Sequence, residues 1–137
     1  MSNPLIIKNK LKTFRKSINV SGDKSISIRW VLFSSLSNGI SVAKNLLLSE
    51  DVLAAIKAVN KLGIKSEYKN NLYKIYGRGI NGYKYKKNLT IDAKNSGTLG
   101  RLILGFLINS PHEIKLIGDK SLSKRDFKRV SDPLSDF

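Results

Sequence analysis

The sequence predicts a mixed α/β (α+β) fold built from repeated βαβαββ units, and two observations support this prediction. Apolar residues alternate between strand-like and helix-like spacing, and the order strand, helix, strand, helix, strand, strand then starts again. Arg29 and Arg101 lie at the same place in the first helix of each unit, at an offset of 72 residues (101 − 29). Leu36 and Ile108 match at the same offset. The pattern therefore indicates a duplicated supersecondary unit.

The predicted boundaries follow from this repeat. Residues 1–17 carry a short apolar patch with no local partner, and we expect an edge strand that belongs with another part of a longer protein. Residues 18–137 are predicted to form one domain, with a full unit at 18–77 and most of a second at 88–137. The second unit lacks its two final strands, which would leave a sheet edge unpaired. We therefore expect a truncated chain.

The first unit is predicted from local signals along the chain. Ile18 and Val20 suit a strand, and helical spacing runs from Lys24 to Leu36, with Trp30 and Phe33 expected in the core. The later elements are a strand over 40–48, a helix opened by Ser49-Glu50-Asp51 and stopped by Gly63, and strands 64–68 and 72–76 around the turn Lys69-Asn70-Asn71.

The second unit begins with an alternating strand over 88–92. A polar turn, Asn95-Ser96-Gly97-Thr98, precedes an apolar helix over 99–108. A strand over 113–117 follows, and Ser121 or Ser123 is predicted to open a last helix that contains Arg125 and Phe127.

Composition excludes several classes of protein. The 137 residues contain no cysteine and one histidine, so disulfides, thiolate metal sites and multi-histidine metal sites are ruled out. No apolar run reaches membrane-spanning length, and the N-terminus lacks the apolar block of a signal peptide. We expect a cytoplasmic protein without a metal or an organic cofactor, and with no membrane partner.

The net charge of +15 has three possible sources: nucleic-acid binding, a small polyanionic substrate, or a lysine-rich surface. Tyrosines and lysines interleave at Tyr83-Lys84-Tyr85-Lys86-Lys87, as in single-strand binders. A basic single-stranded nucleic-acid-binding module is thus an alternative function. No RNP-type, finger or arginine-rich motif accompanies the cluster, which makes nucleic acid an unlikely partner.

The stretch 20–29 has the features of an anion site. Gly22 permits a turn and a close backbone approach, and Asp23 or Ser25 can cap the following helix. The free N–H groups of a first helical turn favour an anion, to which Lys24 adds an ammonium group and Arg29 a planar guanidinium. The residues alone also allow a plain capped helix with two solvated cations. Similarly, Asn95-Ser96-Gly97-Thr98 can be read as an ordinary strand-to-helix turn.

Four segments, in order and in register, resemble one family. They are Ser21-Gly22-Asp23-Lys24-Ser25-Ile26-Ser27-Ile28-Arg29, Leu46-Leu47-Leu48-Ser49-Glu50-Asp51, Asn95-Ser96-Gly97-Thr98-Leu99-Gly100-Arg101 and Gly118-Asp119-Lys120-Ser121-Leu122-Ser123-Lys124-Arg125. The chain, from residue 18 to its end, resembles the 5-enolpyruvylshikimate-3-phosphate (EPSP) synthases. A sister family that uses a UDP-sugar typically has Lys-Asn where Lys24-Ser25 stands, so the resemblance favours shikimate 3-phosphate as acceptor.

The resemblance implies a fold, an activity and site residues. The fold is that of the enolpyruvyl transferases, and the activity transfers the enolpyruvyl group of phosphoenolpyruvate to shikimate 3-phosphate, in aromatic amino acid biosynthesis, with glyphosate as inhibitor. The residues expected to bind shikimate 3-phosphate are Lys24, Ser25 and Arg29. Those expected to bind phosphoenolpyruvate are Lys24, Gly97 and Arg125. Asn95, Thr98 and Arg101 are expected to shape the second loop.

Only Lys24 is a candidate for proton transfer among these positions, and it cannot serve both addition and elimination. The resemblance therefore implies that the chain needs a missing C-terminal portion as partner and is inactive alone. Three positions depart from the family pattern: Ser21 replaces Pro, Lys94 replaces Gly, and Asp126 replaces Pro. We expect Asp126 either to point away from Arg125 or to weaken its grip on an anion.

Overall fold

The computed structural model describes residues 6, 8, 13 and 15–136. The described helices are α1 (Lys24–Leu36), α2 (Glu50–Lys61), α3 (Gly97–Phe106) and α4 (Lys128–Ser135), with a 3₁₀ turn at Leu122–Lys124. The described strands are β1 (Asn38–Lys44), β2 (Lys65–Lys69), β3 (Leu72–Arg78), β4 (Leu89–Asp92) and β5 (Ile114–Ile117). Of the predicted N-terminal edge strand, Leu5, Ile7, Leu11 and Phe14 lie outside the described residues.

The strands form two small sheets. One is antiparallel with the order β1-β3-β2, in which Ile40 and Lys65 lie on either side of Tyr76. The other pairs β4 with β5 in parallel, and Ile91 lies opposite Leu116. Parallel strands need a crossover connection, which α3 provides. The mixed α/β (α+β) prediction is confirmed.

The β2–β3 hairpin forms where the sequence predicts it. Asn70 and Asn71 have φ angles of 52° and 57°. Two successive positive φ values define the tight hairpin turn that matches strand twist, and asparagine tolerates them better than most residues. The two asparagines therefore fix the register of β2 against β3.

The core lies between the helices and the sheets. Ile28 and Leu32 of α1, Val59 of α2, Ile75 of β3 and Ile91 of β4 have no exposed surface. Burying an aliphatic side chain of this size contributes about 1.5–3 kcal/mol, so this cluster dominates the stability of the domain. The cluster includes residues of α1, α2 and α3 and so joins the three helices to both sheets.

The start of the first unit differs from the prediction. Residues 15–23 form no helix or strand, and Ile18 and Val20 are 73% and 70% exposed. The segment is tied to the end of β1 by one hydrogen bond, from Asn45 Nδ2 to the Val20 carbonyl at 3.1 Å. Two apolar residues favour a strand only where a sheet buries one face, and none of the described strands does so here.

Two further elements are corrected. β1 covers Asn38–Lys44 rather than 40–48, so Asn38 and Gly39 open the strand, and Asn45 ends it with a φ of 55°. Phe33, expected in the core, is 61% exposed and packs edge-on against Phe106, with 5.3 Å between ring centroids. Trp30 packs against the core as expected.

The predicted last helix is broken into two pieces. The 3₁₀ turn at Leu122–Lys124 ends at Arg125, which is extended (φ −82°, ψ 139°), and α4 begins only at Lys128. Asp126 accepts a hydrogen bond from the Lys128 N–H at 2.7 Å, so its side chain restarts the helix. Arg125 consequently lies on the connection between two helical segments.

Candidate functional site

The first loop-to-helix junction, which leads into α1, depends on Asp23 and Gly22. Asp23 Oδ1 accepts a hydrogen bond from the Ile26 N–H at 2.7 Å, so Asp23 rather than Ser25 is the N-cap of α1. A Cβ on Gly22 would collide with the Asn45 carbonyl. The glycine is thus required for the close passage of two backbone segments.

Lys24 and Arg29, the two cations predicted at this junction, have different partners. Lys24 Nζ forms an ion pair with Asp51 Oδ2 at 3.0 Å, with the side chains 52% and 17% exposed. Arg29 Nη1 donates to the Ser25 carbonyl at 3.1 Å, so the guanidinium folds back along α1 over Ser25. Lys24, Ser25 and Arg29 therefore lie together on the first turns of α1, next to the first turn of α2.

The second junction leads from β4 into α3. Ser96 caps α3, since its Oγ accepts a hydrogen bond from the Leu99 N–H at 3.2 Å. Lys94 has a φ of 53°, in the region that glycine adopts most readily, and its Nζ pairs with Asp92 Oδ2 at 2.8 Å. The hydrogen bond from Lys94 holds the pKa of Asp92 below its usual value. The Lys94 ammonium is therefore turned back toward Asp92.

Two arginines flank Gly97, the first residue of α3. A Cβ on Gly97 would lie 2.7 Å from Arg125 Nη1 and 3.6 Å from Arg101 Nη1. Arg125 Nη2 also donates to Asn95 Oδ1 at 3.2 Å. The structure thus brings Asn95, Gly97, Arg101 and Arg125 into one cluster, with half-buried Thr98 next in the chain.

Arg101 and Asn95 each contact one further side chain, that of Phe127 and that of Asp119 respectively. The guanidinium carbon of Arg101 lies 5.7 Å from the centre of the Phe127 ring, a distance at which cation–π attraction operates. Arg101 Nε is buried and has no hydrogen-bond partner among the described residues. Asn95 Nδ2 donates to Asp119 Oδ2 at 2.6 Å. The residue patterns predicted neither Phe127 nor Asp119 as part of this cluster.

The first turn of α2 borders both junctions. Asp51 pairs with Lys24, while the neighbouring Glu50 lines a cavity of about 270 Å³ together with Lys94. The pKa of Lys94 is raised chiefly by its hydrogen bond to Asp92 and to the smallest extent by the charge on Glu50. A second cavity, of about 470 Å³, is bordered by Arg125 and lined by residues of the second unit alone. Each junction thus meets α2, but neither cavity joins Lys24 to Gly97.

The tyrosines of the alternative nucleic-acid surface are occupied inside the domain. The Tyr83 hydroxyl hydrogen-bonds with Ser35 Oγ at 2.7 Å, and burial raises its pKa. The Tyr85 hydroxyl bonds with Ser110 Oγ, and its ring packs edge-on against His112. Both hydroxyls are thus engaged in contacts within the domain, so the alternative is not favoured.

The described residues contain neither a candidate metal centre nor a membrane-spanning helix. No group of three or more histidine, aspartate or glutamate side chains in that part of the chain could hold a metal ion. None of the described helices is long and apolar enough to cross a bilayer.

The arrangement is chemically suited to small anions. Each junction offers the free N–H groups of a helix start, and each carries guanidinium or ammonium groups that bind phosphate or carboxylate. Two such junctions beside the same helix are the features expected of a domain that binds phosphorylated or carboxylated small molecules.

Comparison with known proteins identifies the family. The family model of EPSP synthase (3-phosphoshikimate 1-carboxyvinyltransferase) matches residues 8–137. A 3-phosphoshikimate 1-carboxyvinyltransferase of Bacillus cytotoxicus is 44% identical over 123 residues, which cover 90% of this chain and 29% of the relative. That of a Sulfurihydrogenibium species is 43% identical over 126 residues, or 92% and 29% of the two chains.

A solved structure agrees. The EPSP synthase of Acinetobacter baumannii superposes with a TM-score of 0.79 at 35% identity, covering 86% of this chain and 26% of that one. The chain belongs to the EPSP synthase family. It spans about 29% of the length of the curated relatives it matches.

Proposed function

We propose that this chain supplies two anion sites to an enzyme that transfers the enolpyruvyl group of phosphoenolpyruvate to the 5-hydroxyl of shikimate 3-phosphate. The 5-hydroxyl gives up its proton and its oxygen bonds to C2 of phosphoenolpyruvate while C3 gains a proton, which forms a tetrahedral intermediate. C3 then loses a proton as the C2–O bond to phosphate breaks, which restores the double bond and expels phosphate. The observation that carries the proposal is the cluster of Asn95, Gly97, Arg101 and Arg125 at the first turn of α3. Family membership supports the choice of substrates.

The first junction is proposed to bind shikimate 3-phosphate. Arg29 and Ser25 share one side of α1, where a guanidinium and a hydroxyl can both bond a phosphate. Lys24 is proposed to contact both substrates after its ammonium group exchanges Asp51 for a ligand oxygen. Lys24 is about half exposed but Asp51 is largely buried, so the exchange leaves a mostly buried carboxylate without its cation, and contacts to the ligand must offset that loss.

The second junction is proposed to bind phosphoenolpyruvate. Gly97 would place its backbone against the ligand, and Arg125 would bind the anionic end, with Asn95, Thr98 and Arg101 shaping the loop. Asp126 bonds the Lys128 N–H and so leaves Arg125 available. Glyphosate is expected to compete for this same region.

Turnover is proposed to need further residues of the enzyme. Lys24 is the sole proton-transfer candidate among the site residues named here, and one ammonium group cannot supply both the acid and the base. We propose that a C-terminal portion of the same enzyme completes the site. Residues 1–17 are proposed to pack with that portion. The enzyme is proposed to work in the cytoplasm. A phosphate-release assay with both substrates should give no turnover by the 137-residue chain alone.

Titration of the chain with each substrate, followed by NMR chemical shifts, tests the site assignment. Lys24→Ala should weaken binding of both substrates by about tenfold, the effect of losing one charge-assisted contact. Lys86→Ala, which removes an exposed lysine of the tyrosine–lysine segment, is the matched control and should change affinity little. Equal effects of the two substitutions, or a larger effect of Lys86→Ala, would contradict the proposal.

A further inference from the structure

A chain of three polar side chains leads from the loop after β5 to the guanidinium over Gly97. Asp119 Oδ2 accepts from Asn95 Nδ2 at 2.6 Å, and Asn95 Oδ1 accepts from Arg125 Nη2 at 3.2 Å. Arg125 Nη1 in turn lies 2.7 Å from the place of a Cβ on Gly97. Asp119 itself does not reach Gly97 through any of these contacts, and it acts through Asn95.

The hydrogen-bonding groups of Asp119 and Arg125 determine the orientation of the Asn95 amide between them. An ionised carboxylate only accepts hydrogen bonds, and a guanidinium only donates them. The Asn95 amide can therefore satisfy both neighbours in one orientation only, with its NH₂ toward Asp119 and its oxygen toward Arg125. Rotating the amide by 180° would set donor against donor at Arg125 and acceptor against acceptor at Asp119.

Asp119 is itself held on both sides. Its Oδ1 accepts from the Leu122 N–H at 2.7 Å, its N–H donates to the Lys94 carbonyl at 2.9 Å, and its carbonyl accepts from the Ser123 N–H at 2.9 Å. These bonds join the 3₁₀ turn to the loop that precedes α3. The hydrogen bond from the Leu122 N–H, followed by that from Asn95, keeps the pKa of Asp119 below its usual value.

We infer that Asp119 is a positioning residue for Arg125: by fixing the orientation of the Asn95 amide, it holds the guanidinium over the first turn of α3. The inference rests on the proposed function, because it concerns the same arginine that is proposed to bind phosphoenolpyruvate. It adds a residue to which the family resemblance gave no role.

Asp119→Asn tests the inference at nearly constant shape. The new amide can still accept from the Leu122 N–H through its oxygen, which directs its NH₂ at Asn95. Asn95 must then present its oxygen to residue 119 and its NH₂ to Arg125, which repels the guanidinium. We expect the Asn95 side-chain NH₂ and Arg125 Nε–Hε NMR signals to shift, and phosphoenolpyruvate to bind about tenfold more weakly.

Asp126→Asn is the matched control. It removes the same charge from the residue next to Arg125, and its bond is to the Lys128 N–H rather than to Asn95. The signals of Asn95 and Arg125 should stay at their parent positions in this variant, and phosphoenolpyruvate affinity should change by less than about twofold. If Asp119→Asn and Asp126→Asn behave alike, the inference is overturned.

An exchanged pair separates positioning from a general structural role. In Asn95→Asp combined with Asp119→Asn, the NH₂ group belongs to residue 119 and the central carboxylate accepts from both sides. The Arg125 Nε–Hε signal should return toward its parent position. A role of Asp119 that depended only on its charge in the loop would not be restored by this exchange, so an unrestored signal contradicts the inference.

Two further variants keep the tests independent. If Asp119→Asn does not fold, Asn95→Ala takes its place, since it removes the link and keeps the Asp119–Leu122 bond; an unchanged Arg125 signal then overturns the inference. Arg125→Ala tests the proposed function itself. Unchanged phosphoenolpyruvate affinity in that variant would refute the substrate site, while the ligand-free NMR signals would still decide the role of Asp119.

Discussion

Gly22 and Gly97 mark the two junctions, and their surroundings differ in a way that can be measured. A Cβ on Gly22 would meet the backbone of Asn45, whereas a Cβ on Gly97 would meet the tip of the Arg125 side chain. A backbone segment tied into a fold cannot yield as a flexible side chain can. The first glycine is therefore needed for folding and the second for keeping Arg125 in place.

Gly22→Ala should destabilise the domain by about 2 kcal/mol, because overpacking against fixed atoms typically has a penalty of this size. Urea unfolding followed by circular dichroism measures it. Gly105→Ala is the control, since open space surrounds that position and alanine favours a helix, so stability should stay level or rise. Equal stabilities of the two variants would contradict the close passage at Gly22.

Gly97→Ala should leave stability within about 1 kcal/mol of the parent, because helix propensity favours alanine and the neighbouring guanidinium can move. The movement should nevertheless weaken phosphoenolpyruvate binding. Urea unfolding and NMR titration on the same sample measure the two effects. A large loss of stability with unchanged affinity would reverse the roles assigned to the two glycines.

At the scale of elements, α1 and α2 begin with caps of unequal quality. Asp23 bonds the Ile26 N–H, while Ser49 makes no side-chain cap bond and its buried Oγ has no hydrogen-bond partner within the described part of the chain. α2 relies instead on Glu50 and Asp51 in its first turn, where negative side chains interact favourably with the helix dipole.

Asp23→Ala should therefore lower the free energy of unfolding by about 1 kcal/mol, the usual effect of losing an N-cap. Ser49→Ala should have little effect or stabilise slightly, because it removes an unsatisfied buried hydroxyl. Chemical unfolding of the two variants side by side checks the comparison. A greater loss from Ser49→Ala would mean that its hydroxyl is bonded in solution.

The sequence predicted elements well where local signals decide them. α1 begins and ends at the predicted residues, because its cap and its apolar spacing are both local. Ile18 and Val20 carry the same local preference for a strand but pair with none of the described strands, and no local pattern reveals whether a partner is present. The last helix is interrupted at the extended residue Arg125, next to Asp126, whose side chain bonds the Lys128 N–H, and sequence spacing does not specify this bond.

Much of the candidate site was also predictable, since glycine, cap and cation lie within a few residues of each other at both junctions. The supporting contacts are not predictable in this way. Asn95 and Asp119 are 24 residues apart. Lys24 of α1 pairs with Asp51 of α2. Asp51 thus pairs with Lys24 and not with an arginine of the two junctions.

At the scale of the whole molecule, the few carboxylates contribute to stability against a large positive charge. Glu67, Asp92 and Asp119 each have a pKa held below the usual value by hydrogen bonds, led by Lys65, Lys94 and the Leu122 N–H respectively. Depressed folded-state pKa values stabilise above the unfolded-state pKa, and this stabilisation is lost as pH falls through the folded-state values.

The melting temperature should therefore be nearly level from about pH 7 to pH 5 and fall below about pH 4, where carboxylates of the unfolded chain become protonated. Differential scanning calorimetry across this range measures it. The combined variant Glu67→Gln, Asp92→Asn and Asp119→Asn should show a shallower acid slope. An identical slope would mean that these three carboxylates do not set the acid response.

The net charge of +15 also predicts a salt response. Like charges within about one Debye length, roughly 10 Å at 0.1 M salt, repel one another in the folded state. Raising NaCl should increase the melting temperature, whereas sucrose at matched osmolality tests for effects unrelated to charge. A melting temperature that falls with NaCl would show that attractive ion pairs outweigh this repulsion.

In the ion pair between Lys24 and Asp51, a carboxylate of the chain itself competes with ligands for the Lys24 ammonium group. Any anion that approaches the Lys24 ammonium group must displace the Asp51 carboxylate, which the fold holds beside it at high local concentration. A singly charged acid offers no advantage over this resident group, whereas a phosphate dianion brings twice the charge and more acceptor oxygens. If ligands bind at Lys24 as proposed, Asp51 sets an internal threshold: it lowers the affinity of every anion by a similar factor, so the ligands expected to bind measurably are those with more charge and more acceptor oxygens.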